Sequence, residues 1–213
     1  MISVSNKLWS ERQIEERLIE KISQDNKLSP LLAKLVASRK FSDDEIYSIK
    51  NNINLKNYFI NKKDFILASR IIENSIKNNE KICIFGDYDV DGSCATTLLI
   101  KFLKSINHPC FYYIPDREKD GYGPSPKVLS KLVDDKLKLV IMVDCGSNSK
   151  ESIDYLNSQK IKTLIIDHHQ IFKPFPLAYE IINPNKNTEY NNFNYLCATT
   201  LTYFLIDTIL QRK

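Results

Sequence analysis

The sequence predicts an α/β fold: a parallel sheet flanked by helices, preceded by a small helical N-terminal region. Three observations predict it. Nearly continuous apolar runs (KICIF, CFYYI, KLVIMV, IKTLII) alternate with helical segments from residue 64 onward. Strands covered on both faces read as such runs, and their alternation with helices is the βαβ pattern. Acidic or imidazole residues follow three of the runs within two positions, and residues 1–62 carry helical periodicity with no such run.

The elements follow in order. SERQIEERLIEKISQ places Ile14, Leu18, Ile19 and Ile22 on one helical face. Ser29-Pro30 reads as a helix start, with Ser as cap and Pro in the first turn, and Ser42–Glu45 has the capping-box pattern. This region is an accessory subdomain, or else a scaffold or oligomer contact. A helix from Asp64 to Asn78 leads into strand Lys81–Phe85, and a small-residue helix runs from Gly92 to Ile106. Strand Cys110–Ile114, the loop PDREKDGYGPSP, a helix over Pro126–Asp135 and strand Lys138–Val143 come next. Helix Ser149–Gln159 and strand Ile161–Ile166 precede DHHQ. Two domains are expected, 1–62 and 63–213. The last segment, LCATTLTYFLIDTIL, is apolar on nearly every side. It reads as a helix covered by a partner chain or a continuing segment, or as one docked with an apolar stripe exposed.

The 213 residues suffice for one α/β domain with a small appendage. A composition of 43% hydrophobic and 26% charged residues excludes disorder. The net charge of +4 permits a polyanionic partner without arguing for one. Cys83, Cys94, Cys110, Cys145 and Cys197 are odd in number and form no C-x-x-C pair. They read as thiols of a reducing, cytoplasmic protein. The N-terminus lacks the apolar core of a signal peptide, and no run approaches the ~18 apolar residues of a membrane span.

GDYDVDG packs Asp87, Asp89 and Asp91 into five residues. Like charges this close repel, and a cation offsets that cost. In an extended segment residues i and i+2 point the same way, so the three carboxylates form a comb. Asp144 follows the strand KLVIMV, and Asp167, His168 and His169 follow IKTLII. Carboxyl ends of parallel strands share one edge, where ligands bind, so these residues converge. Carboxylates suit Mg²⁺, and added imidazole shifts preference toward Mn²⁺. Two ions about 3.5–4 Å apart, bridged by a carboxylate for which Asp144 is the candidate, stabilise attacking and leaving oxygens at phosphorus.

Competing readings are weaker. An EF-hand loop needs Glu at its twelfth position, which here is Leu98, and a preceding helix rather than a strand. An aspartyl-phosphate enzyme has no need of DHH, and helix capping by Asp91 explains one carboxylate of three. His108, beside a proline, reads as a solvated surface residue. His168 and His169 point in different directions, one toward metal and the other toward substrate, unless both are structural. Gly92-Ser93 and Gly146-Ser147-Asn148 precede helices whose N-termini offer N–H donors to phosphate, with ordinary capping by Ser147 and Asn148 as the alternative. Tyr112, Tyr113 and Tyr122 are candidates for stacking on bases, with core packing favoured for the first two.

GDYDVDGSCATTLL, VDCGSNS and IIDHHQ resemble the first three motifs of the DHH phosphoesterase family. Within that family the chain is similar to the N-terminal part of the single-stranded-DNA-specific exonucleases, a likeness shared by LSPLLAKLVASRKFS, YIPDREKDGYG and IINPN. The resemblance covers most of the chain. It implies a hydrolase with two Mn²⁺ or Mg²⁺ ions that removes nucleotides from single-stranded DNA in the 5′ to 3′ direction, in DNA repair and recombination. Carried over by motif, Asp89, Asp91 and His168 are ligands, Asp144 the bridge, and His169 the contact to the scissile phosphate. Asp87 is a ligand or a support behind the ligands, and Asp167 orients its neighbours. Arg117 meets phosphate or pairs with a local Asp. Phe85 stands where the pyrophosphatase branch carries a His ligand, which favours a nuclease. The family's fourth motif and cleft-closing domain lie beyond the segment resembling LCATTLTYFL, and Asp207 does not match that motif. The sequence therefore reads as an N-terminal portion with reduced or no activity alone, partnered by a C-terminal domain or a complementary chain. The alternatives are a non-catalytic or split-enzyme metal-binding module, and a phosphodiesterase of the same family acting on oligonucleotides or cyclic dinucleotides.

Overall fold

The computed structural model describes residues 6, 8, 10, 12–50, 56–186 and 192–212; expectations for residues 1–5 and 51–55 lie outside them. The described residues fall into two compact units, within 1–56 and 57–213. The first holds α1 (Glu16–Asn26), α2 (Pro30–Arg39) and α3 (Asp43–Lys50). Its capping signals are realised. Ser29 Oγ accepts from Leu32 N, and Ser42 and Glu45 exchange reciprocal bonds at the start of α3. The apolar face of α1 is narrower than its spacing predicts: Ile14 precedes the helix, Leu18 is exposed, and Ile19 and Ile22 are half-buried. So few short helices have too little surface to cover a full stripe.

The second unit is a five-stranded sheet in the order β2-β1-β3-β4-β5, all pairs parallel. The strands are β1 (Lys81–Phe85), β2 (Cys110–Tyr113), β3 (Leu137–Val143), β4 (Lys162–Ile166) and β5 (Glu180–Ile182). The helices are α4 (Lys63–Lys77), α5 (Val90–Ser105), α6 (Pro126–Ser130), α7 (Lys150–Ser158) and α8 (Ala198–Gln211). Alternate strand residues serve two cores. Ile82, Ile84, Leu139, Ile141, Leu164 and Ile166 face α4, α5 and α8. Cys83, Phe85, Val140, Met142 and Ile165 face α6 and α7. Each fully buried Leu, Ile or Phe contributes about 1.5–3 kcal/mol, and the buried positions on both strand faces are accordingly apolar apart from Thr163 in β4. After β2 the chain crosses to the other side of β1 to form β3. The switch point thus falls between β1 and β3, and crevices at the carboxyl ends of strands open there.

Three elements differ from expectation. β5 was unforeseen, since EII is short and followed by Asn-Pro; pairing with β4 makes it a strand. α6 stops at Ser130 rather than Asp135, because the Asp134 carboxylate accepts from Lys136 N and Leu137 N in a turn that launches β3. His108 is 7% exposed, with Nε2 2.8 Å from the Glu80 carbonyl oxygen, and so is a structural residue rather than a solvated one. α8 buries Leu201, Phe204, Leu205 and Ile209 against α4 and α5 and exposes Tyr203 and Leu210, the striped form of docking. No described helix is long and apolar enough to cross a membrane.

Candidate metal centre

The loop after β1 is shaped by two close approaches. A Cβ on Gly86 would lie 2.1 Å from Thr96 Oγ1, and one on Gly92 would lie 2.6 Å from the Asp87 carbonyl oxygen. Only glycine lets the first turn of α5 sit on the end of β1. The three carboxylates are then placed separately. Asp87 is buried, and its Oδ1 accepts from Tyr88 N at 2.8 Å. Burial, reinforced by the Asp89 and Asp167 charges, pushes its pKa up. Asp89 caps α5, accepting from Gly92 N at 2.9 Å. Asp91 turns toward α8, accepting from Ala198 N at 2.7 Å and Thr199 N at 2.8 Å. Burial pushes its pKa up, but the bonds from Thr199 and Ala198 prevail and hold it below the usual carboxylate range.

Asp144 sits at the centre. Its φ of +61° is left-handed, its N–H donates to the Ile166 carbonyl, and it is 1% exposed. Neither carboxylate oxygen has a hydrogen-bond partner. Burial foremost, with the Asp91 and Asp89 charges beside it, pushes its pKa up to about 8. His168 Nε2 stands 3.3 Å from Asp144 Oδ1 and 3.6 Å from Asp91 Oδ2. His169 Nδ1 bonds Asp167 Oδ1 at 2.7 Å and lies 3.9 Å from Asp144 Oδ1. Buried Asp167 also accepts from the backbone N–H groups of Ser147, His168 and His169. Burial opposes ionisation of Asp167, yet the His169 and Ser147 bonds overcome it and bring its pKa down to about 2. The Asp167 bond in turn raises His169 to about 9.

Donor atoms gather in two clusters, Asp87/Asp89/Asp144 and Asp144/His168/His169, each within 4.8 Å. Asp144 belongs to both. A buried carboxylate without a partner costs several kcal/mol. A hard divalent cation on each side would satisfy it, so the donor set fits such ions.

The structure brings most sequence candidates to this rim. Ser93 lies in the first turn of α5. Ser147 is buried, its Oγ accepting from Asn183. Asn148 is engaged at both ends, donating to the Gln170 carbonyl and accepting from Phe172 N, so it braces the loop after His169. The Arg117 guanidinium lies 5.3 Å from the Tyr88 ring, while nearby Asp116 and Asp120 pair with Lys119 and Lys131. Tyr122 is 61% exposed and meets Tyr88 and His169 edge-on, each at 6.4 Å. Tyr113 packs on Phe85 and bonds Asp120, but Tyr112, expected in the core, is 58% exposed on the edge strand. Sequence reasoning missed Asn183, Asn185 and the amides of α8. An Asn-Pro-Asn turn directly after Ile181-Ile182 was the available signal for the first two.

Sheet, switch point and a carboxylate–imidazole rim define an α/β domain whose sheet edge carries donors that could hold cations. The chain belongs to the DHH family, whose N-terminal domain matches residues 81–213. It is similar to the single-stranded-DNA-specific exonuclease RecJ of Bacillus subtilis (strain 168), 26% identical over 180 residues, covering 84% of this chain and 23% of that protein. RecJ of Escherichia coli (strain K12) is 31% identical over 161 residues, covering 74% and 27%. The crystal structure of RecJ from Thermus thermophilus in complex with Mn²⁺ superposes with a TM-score of 0.67 at 17% identity, over 93% of this chain and 28% of that one. The chain thus spans about a quarter of the length of these curated relatives.

Proposed function

We propose that this chain is the cation-binding part of a RecJ-type phosphodiesterase that hydrolyses single-stranded DNA in the 5′ to 3′ direction. The observation that carries the reading is buried Asp144, whose two oxygens accept no hydrogen bond and which belongs to both donor clusters. Asp89 and Asp144, supported by Asp87, would hold one Mn²⁺ or Mg²⁺, and Asp144 and His168 the other, with Asp91 Oδ2, 3.6 Å from His168 Nε2 though outside the cluster, as its further ligand. Ions held there supply charge neutralisation at a phosphoryl centre and acidify water. The remaining work falls to the protein's own groups. Asp167 fixes His169 through Nδ1, which leaves Nε2 for a phosphate oxygen. The N-termini of α5 and α7, with Ser93, would add N–H and hydroxyl donors for non-bridging oxygens, while buried Ser147, its N–H given to Asp167, would act through the loop it anchors. Arg117 adds a cation at the rim, and Tyr122 offers a ring face to a base. Asn148 contributes through the loop it braces. DNA repair and recombination in the cytoplasm are the setting this reading implies, with a cleft-closing domain or complementary chain as partner.

The test is Mn²⁺-dependent degradation of 5′-labelled single-stranded DNA by the chain, alone and fused to the C-terminal part of a RecJ relative. Activity is expected from the fusion and its loss in Asp144→Ala. Full activity of the Asp144→Ala fusion would overturn the site assignment, and a preference for dinucleotides over long strands would overturn the substrate.

A further inference from the structure

We infer that Asn183 is a positioning residue for the cation site, acting with Asn185 to set the path of the His168-His169 backbone; this rests on the cation reading above. Asn183 directly follows β5 and is 1% exposed. Its Nδ2 donates to Ser147 Oγ at 2.8 Å and to the His169 carbonyl oxygen at 2.9 Å, and its Oδ1 accepts from Asn185 N at 2.8 Å. The amide orientation is fixed by its partners, since a carbonyl can only accept and a backbone N–H can only donate. Asn185 Nδ2 then donates to the His168 carbonyl oxygen at 2.6 Å. Both histidine carbonyls are therefore held from the β5 side, while Asp167 holds both histidine N–H groups from within the loop.

Three strand ends are tied by this one amide: the β3 loop through Ser147, the β4 loop through His169, and the β5 loop itself. Both Nδ2 hydrogens of Asn183 are engaged within the protein, which leaves its amide no donor for substrate. Its effect must pass through the histidines, and partners behind ligands set ligand direction and affinity.

The experiment follows Mn²⁺ binding to the 213-residue chain by the electron paramagnetic resonance signal of free Mn²⁺, with melting temperature measured alongside. Asn183→Ala is expected to weaken Mn²⁺ binding by about ten- to hundredfold, with a smaller loss in Asn185→Ala. A core variant far from the rim, Ile72→Val, is expected to lower the melting temperature and leave Mn²⁺ affinity unchanged. Should Asn183→Ala fail to fold, Asn185→Ala decides, because its position is half-exposed and its amide touches the His168 carbonyl directly. Wild-type affinity in the Asn variants would overturn the positioning role and leave the cation site standing. No saturable Mn²⁺ binding by the wild-type chain would overturn the cation reading itself.

Discussion

Replacing Asp144 by Asn separates what its buried carboxylate costs from what it binds. Burial chiefly, and then neighbouring Asp91 and Asp89, raise its pKa to about 8. An unfolded Asp titrates at ~3.9. Folding of the metal-free chain therefore takes up a proton between those values, and stability falls as pH rises from about 4 to about 8. At pH 7 the gap from the unfolded value is roughly 3 units, or about 4 kcal/mol at ~1.36 kcal/mol per unit. Relaxation and water penetration reduce this to about 2–3 kcal/mol. A chain of this size shifts its melting temperature by ~2–4 °C per kcal/mol, so Asp144→Asn in EDTA at pH 7 should melt roughly 5–10 °C above wild type. That margin should close near pH 4. Mn²⁺ at about a thousandfold excess over Kd should reverse the order, because wild type gains ~4.1 kcal/mol and the variant gains nothing. Thermal melts by circular dichroism across pH, with and without Mn²⁺, read both effects. A variant melting with or below wild type in EDTA at pH 7 would refute the idea that this carboxylate is unsatisfied in the metal-free fold.

Asp167→Asn should drop the His169 pKa from about 9 toward ~6.5, because the Asp167 bond is the main cause of the rise. The wild-type contribution to stability is present below the unfolded value and fades as pH rises through 9; the variant should lack it. An NMR titration in EDTA that leaves His169 unmoved would show that another group holds the ring. Gly92→Ala pushes a Cβ against the Asp87 backbone at 2.6–2.7 Å, which no flexible side chain can relieve. A loss of about 1–3 kcal/mol is expected, with weaker Mn²⁺ binding. Unchanged melting and affinity would mean that α5 is not seated on Asp87.

What the sequence revealed depended on how local the cause was. Apolar runs such as KLVIMV identify strands because burial on both faces leaves no polar position, and strand ends then convey the convergence of Asp89, Asp144 and His168. Caps at Ser29 and Ser42 are equally local. β5 was illegible because three residues cannot show a period, and only pairing with β4 makes them a strand. The burial of His108 depends on the Glu80 carbonyl across the fold. The exposure of Tyr112 follows from β2 being at the sheet edge, and strand order is not written in any single strand. Asn183 entered only within the resemblance carried by IINPN and had no role assigned, since its partners lie on two other loops.

The fastening of Asp91 to α8 has an odd genetic consequence. Both carboxylate contacts run to main-chain amides and survive changes of side chain at 198, while the Thr199 hydroxyl adds a third bond, to the Asp91 carbonyl oxygen. Alanine scanning of α8 would touch only the Thr199 hydroxyl and leave both amide contacts in place. Proline is the exception: at position 198, the opening residue of the helix, it would delete one amide while still suiting the helical start.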